Sequence, residues 1–308
     1  MLNGRKLIKL GEKTKSVSIC SYNLLAESLL NPQIHNLTAE TKDLTYRFKM
    51  FCHEFSLLSA DIFCFQELDF KSLQSTFLSH FESIGYNSLY VKRTSDDKHD
   101  GCAIFYKNVN LLKHEIVKYK EMDEDANDNV GIVSIFEKEN FTFCVSTTHI
   151  LWNPKRGDTK LKQIDLLFSR LPHNIPIILC GDFNLSPGSQ LYKYISGRSF
   201  DINLTSSRVY AQRYVPEMMR KGEAKIKTHE FNFVDALKSL DLDECFSTSH
   251  KGDVSIVDYF WIGSHESLKA SIKVVEYLEL PIKQFDLILP DASHPSDHIP
   301  LYAVFNLE

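Results

Sequence analysis

The sequence predicts an α/β fold in which two β-sheets pack face to face with helices outside. Three observations carry that reading. The chain opens with apolar, β-prone runs that alternate with helical apolar stripes, a β-α-β-α order. Its middle holds consecutive strand pairs joined by short polar turns, so pairing there is largely antiparallel. No linker, low-complexity segment or internal repeat divides the 308 residues, which suffice for a large core. Two β-rich halves that each carry helices are best served by sheets packed on one another.

Taken in order, Val17 to Tyr22 reads as a strand that ends in the amide of Asn23. Leu44, Phe48, Phe51, Phe55 and Leu58 are spaced four, three, four and three apart, one apolar stripe of a helix over 41–60. Asp61 to Phe65 is a second buried strand, ending in Gln66-Glu67, and Leu73, Phe77, Phe81 and Ile84 mark a helix over 71–84. Strands follow at Asn87 to Val91, Gly101 to Tyr106 and Leu111 to Tyr119, the last two around a turn at Lys107-Asn108. The acidic stretch Glu121 to Asp128 matches no calcium-loop spacing and reads as a solvated loop. Asn129 to Phe136 and Phe141 to Thr148 form a hairpin, and His149 closes its second strand.

Asp158 is a good N-cap for a helix carrying Leu161, Ile164, Leu167, Phe168 and Leu171. Ile177-Ile178-Leu179-Cys180 then runs straight into Gly181-Asp182-Phe183-Asn184. An uninterrupted apolar run bounded by turn residues is a strand buried on both faces. If the chain stays extended, Asp182 and Asn184 point the same way from the strand end, where α/β proteins place ligands; both are also common turn formers. A short helix after Pro187-Gly188, a helix over 233–240, a strand from Val254 to Ile262 with Asp258 inside it, and strands at Lys273 to Leu280 and Leu301 to Phe305 complete the chain.

The balance of 43% hydrophobic and 24% charged residues is that of a soluble globular protein, and a net charge of −5 makes any attraction to a polyanion local. Seven cysteines without a Cys-x-x-Cys pair read as reduced thiols rather than a zinc site or disulfide framework. The expected location is therefore intracellular, cytoplasmic or nuclear. The basic leader 1–15 has no apolar region behind it, and no membrane span is expected. One domain over 1–308 and a monomer are the simplest expectations. The segment 200–232 reads as a surface insertion, and within it Ser206 to His229 sets six basic residues against two acids. Beside Tyr210 and Tyr214 these could grip an RNA backbone and stack bases, or simply form a solvated loop.

Polar groups gather at strand ends: Asn23, Glu67, His149, Asp182, Asn184, Asp297 and His298, with Asp258 inside its strand. Oxygen donors with only two histidines suit Mg²⁺, or Mn²⁺ in its place, better than zinc. A divalent ion beside Asn and His donors is what phosphoryl chemistry needs.

Ser21-Tyr22-Asn23, Gln66-Glu67, Thr148-His149, Gly181-Asp182-Phe183-Asn184, Val257-Asp258-Tyr259 and Ser296-Asp297-His298 occur in this order. They resemble the motif set of the endonuclease/exonuclease/phosphatase superfamily over nearly the whole chain. The resemblance implies a four-layer α/β sandwich, two mixed and mostly antiparallel sheets with helices outside, and Mg²⁺-dependent phosphoester hydrolysis. It implies that Glu67 is the principal metal ligand, helped by Asn23 and Asp297. It further implies that Asp182 and Asn184 orient water and phosphate, that His149 donates to a phosphate oxygen, and that Asp258 holds His298 for acid–base work. The segments Asp128-Asn129-Val130-Gly131 and Asn153 to Leu161 with Gln163, and Ser249-His250, resemble the Angel branch more closely than the poly(A) deadenylases. That branch implies an RNA 3′ end as partner, a 2′,3′-cyclic phosphatase activity, and substrate contacts from Asn129, Asn153, Lys155, Arg156 and His250. A 3′-5′ exoribonuclease acting on poly(A), or a catalytically silent RNA-binding module, are the competing expectations. The stretch from about Phe200 to Phe233 departs from the family pattern.

Overall fold

Strands form where the apolar runs are, and their order explains why so many polar residues end at one rim. The structure, a computed structural model, describes residues 4–201, 223–237, 244–250, 253–268, 271–283 and 287–308. In chain order the strands are β1 (Leu7–Lys9), β2 (Ser16–Asn23), β3 (Ile62–Gln66), β4 (Asn87–Lys92), β5 (Gly101–Tyr106), β6 (Asn110–Lys118), β7 (Val130–Lys138), β8 (Phe141–His149) and β9 (Ile177–Asp182). They continue as β10 (Ser199–Asp201), β11 (Ile226–Thr228), β12 (Phe231–Asp235), β13 (Thr248–His250), β14 (Asp253–Ser255), β15 (Asp258–His265), β16 (Ile272–Leu278) and β17 (Leu301–Leu307).

Two sheets result. The first runs β1-β16-β17-β2-β3-β5-β4 and the second β12-β15-β9-β8-β7-β6. Within them only β2–β3 and β8–β9 pair in parallel, and every other neighbour is antiparallel. The parallel pairs face each other across the sandwich, with β2 and β3 against β8 and β9. Both pairs therefore end at the same rim. Their antiparallel neighbours β17 and β15 begin there, with Leu301 opposite Ser21 and Asp258 opposite Asp182.

Alternation along each strand explains the layers. In β2 and β3, Val17, Ile19, Ile62 and Cys64 join the core shared with the second sheet, while Cys20, Tyr22, Phe63 and Phe65 turn outward under helices. That outer face is covered by the Leu44–Leu58 helix and by the helical path over 70–83. Its aromatic packing is dense, and Phe81 stacks on Phe105 with ring centroids 4.3 Å apart. The Gly157–Phe168 and Gln190–Gly197 helices cover the outer face of the second sheet, where Tyr192 packs on Tyr259 and Trp261 with ring centroids 5.6 and 5.0 Å apart and Phe168 packs on Phe233 at 5.3 Å. Helix, sheet, sheet, helix is the predicted four-layer order.

Several local expectations change. The turn at Lys107-Asn108 does not close a hairpin, because β5 belongs to the first sheet and β6 to the second, so the chain changes layer there. The helix predicted over 233–240 is replaced, at residues 231–235, by β12; the burial of Phe231, Phe233 and Asp235 but not Asn232 and Val234 is a period of two. Residues 238–240 lie outside the described set. Asp158 is not the N-cap, since the helix starts at Gly157 and Asp158 sits in its first turn. The helix over 41–60 is two pieces, because Asp43 caps the second through Thr45 N. The leader 1–15 is not wholly separate from the sheet: β1 pairs with β16. The segment 200–232 is narrower than predicted, since β10 pairs with β11 and Phe231 and Asn232 already belong to β12. Arg208, Tyr210, Arg213, Tyr214, Arg220 and Lys221 lie outside the described residues. No described helix is long and apolar enough to cross a membrane.

Candidate active site

The site forms where the two parallel pairs end. Asn23, the last residue of β2, is fully buried and bridges the sheets. Its Nδ2 donates to Glu67 Oε1 at 3.0 Å and to Asp182 Oδ2 at 3.1 Å, while its Oδ1 accepts Leu25 N–H. Behind it, Gln66 of β3 donates across the interface to Thr147 Oγ1 of β8. Glu67 follows directly with φ of 52°, and Asn184 has φ of 51°. Two non-glycine residues held in the left-handed region beside a polar cluster are local strain of the kind that functional sites retain. Gly181, with φ of +130°, lies so close to β8 that a Cβ there would meet Thr148 O at 2.0 Å.

His149 and Asp182 are register partners at the ends of β8 and β9. His149 Nε2 is 3.6 Å from Asp182 Oδ2, 3.9 Å from Glu67 Oε1 and 3.3 Å from Asn184 Nδ2. Asn184 N–H donates back to Asp182 Oδ1 at 2.9 Å. From the other side His298 reaches in, with Nδ1 2.8 Å from Asp258 Oδ2 and Nε2 3.7 Å from Asp182 Oδ2. Asp258 is not mid-strand as expected: residues 256–257 break the run, and Asp258 begins β15. Its place opposite Asp182 follows from that break.

The 294–298 loop is pinned to this rim by its neighbours. Ser296 Oγ donates to Asn23 O at 2.7 Å, and Arg47 Nε donates to Pro295 O at 2.7 Å. Asp297 takes Thr248 Oγ1–H and Ser249 N–H on its carbonyl, and its carboxylate lies 3.4 Å from His35 Nε2.

Electrostatics follow from crowding carboxylates away from water. Burial, then Asp297 and Asp100, push Glu67 up to about 8. Burial and Asp258 push Asp182 up to about 7. Burial lowers His149 to about 3, with help from Arg93 and His298, so its ring is neutral. Burial alone would lower His298 too, but Asp258, Asp297 and Asp182 raise it well above the ordinary value. The buried carboxylate oxygens of Asp100 have no hydrogen-bond partner, and Arg93 Nη1 stands 3.9 Å away. Glu67 is raised by burial and by the nearby Asp297 carboxylate and touched by the Asn23 amide, and two buried carboxylates that repel one another beside an amide fit a hard divalent cation.

The remaining predicted contacts lie apart from this cluster. Asn129 is buried, with its Oδ1 accepting from Gln163 Nε2 at 3.1 Å. Asn153 folds its Oδ1 onto Lys155 N in a local turn, and Arg156 pairs with Asp158. Asn153 and Arg156 line a cleft of about 340 Å³ together with Leu151, Asn127 and the acidic Glu124 and Asp125. Lys155 is exposed on the same loop. His250 ends β13, and its side chain lies outside the described set.

Buried polar residues to which the sequence reading assigned no individual role complete the setting. Lys160 is fully buried and donates from Nζ to Asn184 O at 2.6 Å. Gln163 ties Leu151 N and Ala126 O together. Arg47 also binds the carbonyls of Leu24 and Leu25. A signal existed for two of these. Lys160 precedes Ile164 by four and Leu167 by seven, and Arg47 stands three after Leu44 and four before Phe51, so both charges sit on an apolar helical stripe. His35, in a loop, had no such signal.

The sequence pattern of the Endonuclease/Exonuclease/phosphatase family matches residues 20–298. The chain belongs to this family. Family relatives include human protein angel homolog 2, 28% identical over 94% of this chain and 69% of its own length. Another is Carbon catabolite repressor protein 4 homolog 4 of Arabidopsis thaliana, 28% identical over 81% of this chain and 67% of its own. Among solved structures, ANGEL2, described as a 2′,3′-cyclic phosphatase, superposes with a TM-score of 0.85 at 26% identity, covering 98% of this chain and 97% of its own. The human Nocturnin catalytic domain shares the fold, with a TM-score of 0.69 at 21% identity over 99% of this chain and 98% of its own.

Proposed function

We propose that the protein is a divalent-cation-dependent phosphoesterase of RNA 3′ ends that hydrolyses terminal 2′,3′-cyclic phosphate. The observation that carries this reading is the likeness to ANGEL2 along 98% of the chain, together with the rim where Asp182, Asp258 and His298 meet. A second ANGEL2 structure, in complex with adenosine-2′,3′-vanadate, superposes with a TM-score of 0.84 at 26% identity.

Glu67, with Asn23 and Asp297, would hold Mg²⁺ or Mn²⁺, which when bound neutralises phosphate charge and polarises the phosphorus. The chain's own groups do the rest. Asp182, raised to about 7, is matched to take a proton from the attacking water near neutral pH. Asn23 and the Asn184 N–H fix both its oxygens, which aims it. The water oxygen bonds to phosphorus as one P–O bond to the ribose breaks. His298, kept protonated by Asp258, gives its proton to the departing ribose oxygen. His149 is neutral and, with the Asn184 amide, serves the non-bridging phosphate oxygens. A second hydrolysis by the same groups releases inorganic phosphate.

The test uses one short RNA made with a 3′ cyclic phosphate and with a free 3′ hydroxyl, incubated with wild type and Glu67→Gln in Mg²⁺ and read by mass. Loss of phosphate at constant chain length, in wild type alone, is the expected result. Progressive loss of nucleotides would move the protein to the exoribonucleases acting on poly(A). No change in either RNA would overturn both readings and leave a binding module.

A further inference from the structure

At the far end of the same two strands stands a second cluster of metal-ligating type. β9 and β15 present Asp182 and Asp258 at one rim, and at the opposite rim Ile177 pairs with Gly263. Five residue steps of strand separate the two ends, roughly 17 Å. There His173, just before β9, Glu230, just before β12, and His265, the last residue of β15, bring one donor atom each to within 4.8 Å of one another.

We propose that His173, Glu230 and His265 form a binding site for a borderline divalent transition cation, foremost Zn²⁺, that clips the β9, β12 and β15 edge together. Two imidazoles and a carboxylate are a zinc-type donor set, in contrast to the oxygen-rich set at the other rim. The geometry is partly built. His265 Nε2 lies 3.2 Å from Glu230 Oε2, and the His173 and His265 rings stack at 4.5 Å and 12°, so the exposed His173 ring must turn out of the stack to aim a lone pair at a shared ion. Ser267 N–H donates to His265 Nδ1 at 3.3 Å and Ser267 Oγ lies 2.8 Å from the same nitrogen, so Ser267 holds the ring by its Nδ1 side and turns Nε2 toward Glu230. A partner that orients a ligating histidine through its other ring nitrogen is a recurrent feature of such sites. Phe231 supports both rings edge-on, at 5.5 Å from His173 and 6.0 Å from His265. The backbone agrees: Glu266 N–H donates to Glu230 O at 2.9 Å, so the β15 end and the start of β12 are already tied. A bound ion would add the loop before β9 to that tie.

The full-length protein, in excess Mg²⁺ to compete at the other rim, is dialysed against Zn²⁺ and the zinc per chain is counted. Wild type should retain one more zinc than His265→Ala or Glu230→Gln. Ser267→Ala should keep the site but weaken zinc binding about 10- to 100-fold. Glu230 is exposed, so its variant folds and keeps the experiment decisive if His265→Ala does not. Zn²⁺ should also raise the melting temperature of wild type and not that of Glu230→Gln. Equal zinc counts in wild type and Glu230→Gln, or an equal thermal response, would overturn the proposal.

Discussion

Asp182 and Asp258 stand directly opposite one another, the last residue of β9 against the first of β15, and His298 touches both. Two carboxylates in register with one imidazole between them divide the labour by their surroundings. Asp258 holds the ring at Nδ1, 2.8 Å away, while Asp182 faces the Nε2 side at 3.7 Å with its own oxygens fixed by Asn23 and Asn184. Asp258 thus raises the imidazole, while burial and Asp258 raise Asp182.

Asp258→Asn keeps the shape and removes the charge that holds His298 protonated. Turnover should fall about 10²- to 10⁴-fold, the range seen when a positioned acid or base is lost. Circular dichroism and RNA affinity should stay as in wild type. Turnover within a factor of two of wild type would show that the pair does not serve proton transfer.

Stability without a divalent cation should fall as pH rises through neutrality. Glu67, raised to about 8, and Asp182, raised to about 7, keep protons in the folded chain that the unfolded chain has already lost. The folded state then binds more protons, and stability declines with pH up to the folded values. His298 works in the same direction, because its raised value stabilises the fold below 6.5 and that gain is lost as pH passes the folded value. His149, lowered to about 3, opposes this only below 6.5. Melting in chelator should therefore drop between about pH 6 and about pH 8, and Mg²⁺ should flatten the slope most at the upper end. A chelator curve that rises over that interval would contradict the crowded-carboxylate account.

How much of this was legible in the sequence depended on periodicity. Strands such as Ile177–Asp182 and the stripe on Leu44–Leu58 announced themselves, because burial on both faces or on one helical face leaves a repeating trace. The residues gathered at the rim could be named because they end apolar runs. Layer assignment was hidden: nothing local says that Lys107-Asn108 leads from one sheet to the other. The short β12 does not separate from a helix in the sequence, because five residues carry too little period to tell the two apart. The roles of Lys160 and Arg47 are hidden because a charge on an apolar stripe does not announce its partner, and the fold supplies backbone carbonyls for both.

Gly181→Ala should be one of the most costly changes in the chain. A Cβ would meet Thr148 O at 2.0 Å, and φ of +130° is foreign to alanine. Since β8 and β9 pair in parallel there, relief requires parting the strands that end in His149 and Asp182. The expected loss is about 3 kcal/mol or more, read as a lower urea midpoint, with activity lost alongside. An unchanged midpoint would mean that the strands can part without cost.

Lys160→Met tests whether a buried charge behind the site tunes the base. The substitution keeps the stem and packing but removes the Nζ that donates to Asn184 O at 2.6 Å and the positive charge that attracts Asp182. Burial already lowers Lys160 to about 8, so near neutrality it is largely charged. Without it, Asp182 holds its proton more tightly, and the acidic limb of the pH–rate profile should move to higher pH by a few tenths of a unit to about one unit. Loss of the carbonyl's partner should cost about 1–3 kcal/mol of stability. The two effects separate cleanly, because turnover should recover at high pH while stability does not. A stability loss with no movement of the pH limb would make Lys160 a strut for Asn184 rather than a tuner of Asp182.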